Sequence, residues 1–242
     1  MAAKGAPQDF SEAEKRGVYR AIYERRDVRS EFLPDPVPVE TLGRLLDAAH
    51  HAPSVGFMQP WDFLIIEDPV VRRKVYDNFQ TANARAGEIY NGERRERYNR
   101  LKLAGILDAP INLCVTCDRT RQYGYGLGRQ TDPATDLYST VCAVENLWLA
   151  ARAESLGIGW VSILDFDELR AILGIPAHAT PVAYLCVGYV SEFRPRPDLE
   201  DLGWERRGSL QDMIHFDQWG ARDRTRSQEL LRASAPIPEG AR

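Results

Sequence analysis

The sequence has no apolar run approaching the ~18 residues that a membrane-spanning helix needs, so none is expected. Its first ten residues, M-A-A-K-G-A-P-Q-D-F, hold no apolar leader core, and no signal peptide is expected. It lacks an excess of positive charge. Lys and Arg number 31 against 35 Asp and Glu, a net charge of −4, which gives no reason to expect nucleic acid or a membrane surface as partner. A cytoplasmic location follows as the expectation. Cysteine is scarce: Cys114, Cys117, Cys142 and Cys186. The C-V-T-C run at Cys114–Cys117 has the spacing of a redox or metal motif. No second C-x-x-C follows it and no histidine lies nearby to complete a zinc site, so no metal is expected. On a strand, thiols three residues apart point to opposite faces, and the pair reads as core. A dinucleotide fingerprint is also missing. In G-Y-G-L-G, from Gly124 to Gly128, the position three after Gly126 is Arg129, not glycine, and the run reads as flexible loop.

What is present is an ordinary globular balance, 44% hydrophobic and 27% charged over 242 residues, which suits one large domain. Residues 1–10 read as a loose arm, 11–220 as a single domain and 221–242 as a flexible tail. Ser11 with Glu14 is a capping box opening a helix that should end near Arg25. A second helix is expected from Thr41 to His50-His51, and those histidines suit a helix C-terminus as well as catalysis. Strands are expected at 63–67, 111–117, 158–163 and 182–190. The last, V-A-Y-L-C-V-G-Y-V, is apolar on both faces and therefore central. Residues 70–107 are charged and helical in pattern, either a solvated face or a lid over a pocket. Asp136–Leu156 is apolar nearly all round, as a central or interface helix is. The whole reads as α+β with one central sheet, mixed or antiparallel, flanked by helices.

Three stretches stand apart. Ala52–Trp61, A-P-S-V-G-F-M-Q-P-W, holds Pro53, Gly56 and Pro60, so it is neither regular helix nor strand. Its Phe57, Met58 and Trp61 are too apolar for an ordinary surface loop and should lie against something flat or against another chain. Arg25–Arg29, R-R-D-V-R, places three guanidinium groups where helix gives way to extended chain. Such groups suit a phosphomonoester, though a solvated basic knot paired with Glu24, Asp27 and Glu31 is the alternative. The third stretch is Gly159–Ser162, G-W-V-S.

In this order, these three stretches resemble the FMN-dependent nitroreductase family. With C-V-T-C-D-R-T from Cys114 and D-L-Y-S-T-V-C-A-V-E-N-L-W-L-A-A-R-A-E from Asp136, the sequence looks closest to the flavin-destroying branch, which makes 5,6-dimethylbenzimidazole, the lower ligand of cobalamin. The resemblance runs from about Val18 to Phe216. It implies a nitroreductase-like fold and an intertwined homodimer with FMN at the subunit interface. Arg25, Arg26, Asp27, Val28 and Arg29 would hold the flavin phosphate or polar ring edge, with Arg207 helping to grip the phosphate. Gly208-Ser209 departs from the leucine-proline of relatives there. Pro53 and Ser54 would lie along the ring, Trp160, Val161 and Ser162 along its other side, and Leu103 against the nucleotide.

Asp27 is the position that separates the branch from ordinary nitroreductases, which more often carry a small neutral residue between the arginines. A carboxylate there disfavours an anionic ring by like-charge repulsion and can serve as general base. Asp27 and Ser162 are the candidate catalytic residues. An ion pair of Asp27 with Arg26 or Arg29, and a backbone hydrogen bond of Ser162, are the structural alternatives. The implied reaction is the O2-dependent fragmentation of reduced FMN, itself the substrate, to 5,6-dimethylbenzimidazole and erythrose 4-phosphate, with a separate flavin reductase supplying reduced FMN. The rivals are an NAD(P)H-dependent nitroreductase or quinone reductase and a non-catalytic flavin carrier.

Overall fold

In the computed structural model, which describes residues 9–233, four strands form one antiparallel sheet in the order β1-β2-β4-β3. They are β1 (Trp61–Ile66), β2 (Ile111–Asp118), β3 (Leu156–Val161) and β4 (Ala179–Tyr189). The two inner strands are apolar on both faces because both are covered. Leu113, Val115, Ala183, Leu185 and Val187 face one core. Cys114, Tyr184 and Cys186 face the other. Pro181 has no N–H to give to a ladder. It sits where the β2–β4 register slips between Val115 and Thr116, a bulge that accommodates it in a central strand.

Helices cover both faces. Against the first core lie α2 (Val39–His50) and α5 (Thr135–Ala153), through Leu42, Leu45, Val144, Leu147 and Trp148. Against the second lie α3 (Pro69–Gly87) and α6 (Phe166–Leu173), through Val75, Phe79 and Leu169. The stretch 70–107 divides into α3, α4 (Gly92–Arg100) and a non-helical segment from Leu101 onward. Tyr98 anchors α4, its hydroxyl donating to Asn83 Oδ1 at 2.6 Å.

The first helix, α1 (Glu12–Glu24), opens on the expected box. Glu14 N–H donates to Ser11 Oγ, and Ser11 N–H donates to Glu14 Oε2 at 2.7 Å. It ends at Arg25, where the chain turns extended. None of its residues is buried, and Val18, Tyr19, Ile22 and Tyr23 stand exposed.

The chain forms two compact units, residues 9–193 and 194–233. The second holds α7 (Asp198–Asp201), a 3-10 turn at Leu210–Met213 and α8 (Arg224–Ala233). Part of the stretch expected as a tail is thus helical. Residues 1–8 and 234–242, the remainder of the expected arm and tail, lie outside the described residues. Among the described residues no helix is long and apolar enough to cross a membrane.

All four cysteines are free. Cys114 belongs to the second core, whereas Cys117 reaches Thr140 of α5 on the opposite face. Burial pushes the Cys114 and Cys186 thiols up to about 12, and it raises Cys117 as well. The thiolate is the reactive form, so all three stay inert at neutral pH. Cys142 alone is partly exposed. A thiol reagent at pH 8 should label the native chain only at Cys142, and all four positions after denaturation. Native labelling of Cys114 would contradict this burial.

Candidate active site

Just after α1, the chain at Asp27 pairs in parallel with Ile158 of β3, and Val28 N–H donates to Ile158 O at 2.9 Å. This short docking covers the β3 edge of the sheet. It demands glycine on the facing strand. A Cβ on Gly159 would lie 2.0 Å from Val28 O, and one on Gly157 2.9 Å from Val28 Cγ2. The glycines of L-G-I-G-W-V are therefore the seat of the R-R-D-V-R segment. Val28 is buried at 3% exposure, with its N–H bonded to Ile158 O.

The Asp27 carboxylate is fixed from two sides. Trp160 N–H donates to Oδ1 at 2.9 Å, and Arg29 Nη2 pairs with Oδ2. The ion pair weighed from the sequence is thus present, with Arg29 as partner. The Asp27 side chain keeps 31% exposure, so it remains reachable. Arg29 is 13% exposed, and its buried Nε has no hydrogen-bond partner. Arg25 lies over the Trp148 ring at 5.3 Å and 3.4 Å from Glu145 Oε1. Arg26 donates to the carbonyls of Tyr23 and Arg25, at 2.8 and 2.7 Å. Trp148 Nε1–H closes the cluster on Arg26 O at 3.2 Å, its ring 6.3 Å from that of Trp160. Val161 is buried. Ser162, the first residue past β3, is exposed, and its hydroxyl makes no hydrogen bond among the described residues.

The segment after α4 adjoins this cluster. A Cβ on Gly105 would lie 3.2 Å from Arg29 O. Two residues earlier, Leu103 lines a cavity of about 340 Å³ with Tyr76, Phe79, Lys102 and Leu107.

Pro53 and Ser54 lie elsewhere in the chain. They precede β1, the opposite edge of the sheet, with β2 and β4 between, roughly 14 Å at ~4.8 Å per strand. Both clusters are tied to α5. Val55 N–H donates to Ser139 Oγ at 3.1 Å, while Trp148 holds Arg26. Those two anchor residues stand about 13 Å apart along the helix at ~1.5 Å per residue. The loop differs from expectation in its apolar side chains. Met58 and Trp61 are buried in their own chain, leaving Phe57, 74% exposed, to meet anything else. Phe57 and Gln59 hold φ of +57° and +44°, a left-handed backbone that costs non-glycine residues of order 1–3 kcal/mol each. Inside the loop, Gln59 N–H donates to Ser54 Oγ at 3.2 Å. His50 Nδ1 accepts from Trp61 Nε1 at 3.1 Å, a structural part for that histidine. Arg207 belongs to the second unit, where it is exposed.

Sequence reasoning missed what holds this loop. The G-Y-G-L-G run is a folded turn packed on it. A Cβ on Gly124 would fall 1.6 Å from Gly56 O, and one on Gly56 2.4 Å from Leu127 O. Beside it, Arg121 Nη1 donates to Gln59 O and Trp61 O at 3.0 and 2.9 Å. Arg129 donates to Met58 Sδ, and the buried Asp136 carboxylate faces Arg119 and Arg129 at 2.8 and 3.7 Å. Three glycines alternating with bulky residues between arginines were the only signal.

A family model described as "Nitroreductase family" matches residues 22–189. A protein of Rhodospirillum rubrum named 5,6-dimethylbenzimidazole synthase is 49% identical over 183 residues, covering 76% of this chain and 86% of that protein. One of Rhodobacter capsulatus with the same name is 40% identical over 197 residues, covering 81% and 95%. Among solved structures, oxidized iodotyrosine deiodinase bound to FMN and 3-iodo-L-tyrosine superposes with a TM-score of 0.66 at 23% identity, covering 84% of this chain and 100% of that one, a likeness of fold.

Proposed function

Since the chain belongs to the nitroreductase family, in the branch whose curated relatives are named 5,6-dimethylbenzimidazole synthase, we propose that it catalyses the O2-dependent fragmentation of reduced FMN to 5,6-dimethylbenzimidazole and erythrose 4-phosphate. The observation that carries this reading is Asp27. It sets a reachable carboxylate inside the arginine segment, aimed by Trp160 N–H and Arg29. A flavin carrier or a conventional nitroreductase has no need of a carboxylate there.

The residues fit an anionic flavin. Arg29 holds a buried N–H without an acceptor, as a guanidinium waiting for a phosphate or ring oxygen would. Arg25 and Arg29 bind its polar edge. Trp160 and the Ser162 hydroxyl line one side of the ring. Leu103 and its neighbours exclude water. Bound reduced flavin supplies the reactivity toward oxygen and the atoms of the product. Asp27 takes and holds the proton at its carboxylate, and Ser162 donates from its unpartnered hydroxyl.

Pro53 and Ser54 come from a second copy of the chain. Two features support the homodimer. Within one chain the two clusters stand on opposite sheet edges, and α1 shows an apolar face that nothing among the described residues buries. Reduced FMN comes from a separate flavin reductase.

The test is a single turnover. The protein is mixed with chemically reduced FMN under nitrogen, air is admitted and the products are separated by chromatography. Dimethylbenzimidazole appearing as FMN disappears is the expected result. FMN returning oxidised and intact would overturn the proposal in favour of a conventional flavoenzyme. A binding prediction accompanies it. Arg29→Ala should weaken FMN binding by about 1.5–3 kcal/mol, the range for a charged hydrogen bond. Unchanged affinity in a fluorescence titration would remove Arg29 from the site.

A further inference from the structure

We propose that Arg121, seated on the Gly124 turn, is a positioning residue that holds Ser54 in place for the flavin ring; this rests on the reading that Pro53 and Ser54 lie along that ring. The connection is two hydrogen bonds long. Arg121 Nη1 donates to Gln59 O at 3.0 Å, and Gln59 N–H donates to Ser54 Oγ at 3.2 Å. The peptide units on either side of Gln59 are thus pinned, one by a guanidinium and one by the serine. Gln59 needs this restraint, because its φ of +44° is a conformation that persists only where the surroundings over-determine it.

Three features make Arg121 the restraint. Its side chain is only 21% exposed, and its planar fork spans two partners at once. One arm covers the carbonyls of Gln59 and Trp61, and the other grips both oxygens of Asp62 at 2.7 and 2.8 Å. The turn that follows it rests backbone to backbone on the same loop, where Gly124 meets Gly56 O. Lysine carries the same charge but has no fork, so it can reach one of these partners and not the set. Arg121 itself has no part in the chemistry. Its effect runs through the placement of Ser54, and small misplacements of such groups cost rate steeply.

The experiment compares wild type, Arg121→Lys and Gly124→Ala. Each is loaded with oxidised FMN for visible circular dichroism, then run through the reduced-flavin single turnover with both dimethylbenzimidazole and recovered FMN counted. Far-UV spectra verify the fold. Arg121→Lys should keep the fold and load flavin, with altered visible dichroism of the bound ring. Its yield of product per bound flavin should fall by roughly tenfold, with intact FMN recovered instead. Gly124→Ala should repeat both changes from the other side of the contact. Visible dichroism and yield per bound flavin both matching wild type in Arg121→Lys would overturn the proposal, even if less flavin were loaded, since that loss alone is what a structural role predicts. Should wild type itself give no product, the functional reading fails, and the dichroism still decides whether Arg121 places the loop against the ring.

Discussion

Asp27→Asn is expected to bind FMN within a few-fold of wild type and to make almost no product. Asparagine retains an oxygen to accept Trp160 N–H, so the segment stays docked on β3. What is lost is the negative charge that Arg29 faces and the ability to take up a proton. Removing a general base costs roughly 10²–10⁴-fold in rate. The measurement pairs a fluorescence titration with the single-turnover product count. Wild-type product formation in the variant would end the catalytic assignment of Asp27. A large loss of flavin affinity would instead make Asp27 a binding group.

The second large effect should come from a methyl group. Gly159→Ala places a Cβ 2.0 Å from Val28 O, a contact that real side chains do not make. The backbone must move, and with it the Val28–Ile158 hydrogen bond and the Trp160–Asp27 bond next to it. Overpacking of this kind costs about 1–3 kcal/mol, and each kcal/mol lowers the melting temperature of a protein this size by ~2–4 °C. Flavin affinity should fall too, because the arginines ride on the displaced segment. Gly43→Ala is the control. It lies in α2 with nothing within 4 Å of the added carbon, and alanine is the better helix former there. If Gly159→Ala melts and binds like Gly43→Ala, the close approach of the arginine segment to β3 is refuted.

Much of this was legible in the sequence because its causes are local. The capping box at Ser11, the strands and the central place of V-A-Y-L-C-V-G-Y-V follow from short-range pattern. The cysteines of C-V-T-C could be assigned to the core from strand geometry and missing partners. The gathering of Asp27 with Arg29 and Trp160 needed the family resemblance, since 133 residues separate Asp27 from Trp160. What stayed hidden depends on partners far along the chain. Gly124 and Gly128 look like flexibility until the facing backbone and Val55 are in place. Arg121, Arg129 and Asp136 look like polar loop and helix start, yet Asp136 is 1% exposed. Met58 and Trp61 suggested something flat or another chain against the loop, and both are buried within their own chain. The break between units at 193 and 194 coincides with the R-P-R-P run, whose prolines interrupt regular structure.

Because α5 carries an anchor for each cluster, it has a phase as well as a length. Ser139 and Trp148 must point the ways they do, and each residue added or removed between them rotates one against the other by ~100°. A single-residue deletion in that span would leave a perfectly good helix and two sound clusters turned away from the directions that the proposed second copy would have to meet. A point substitution there can be absorbed by repacking; a change of count cannot. Length variation in this lineage should therefore collect where nothing is measured against α5, such as the stretch joining α3 to α4, and descendants that retain the chemistry should preserve the spacing from Ser139 to Trp148 even where the residues between them drift.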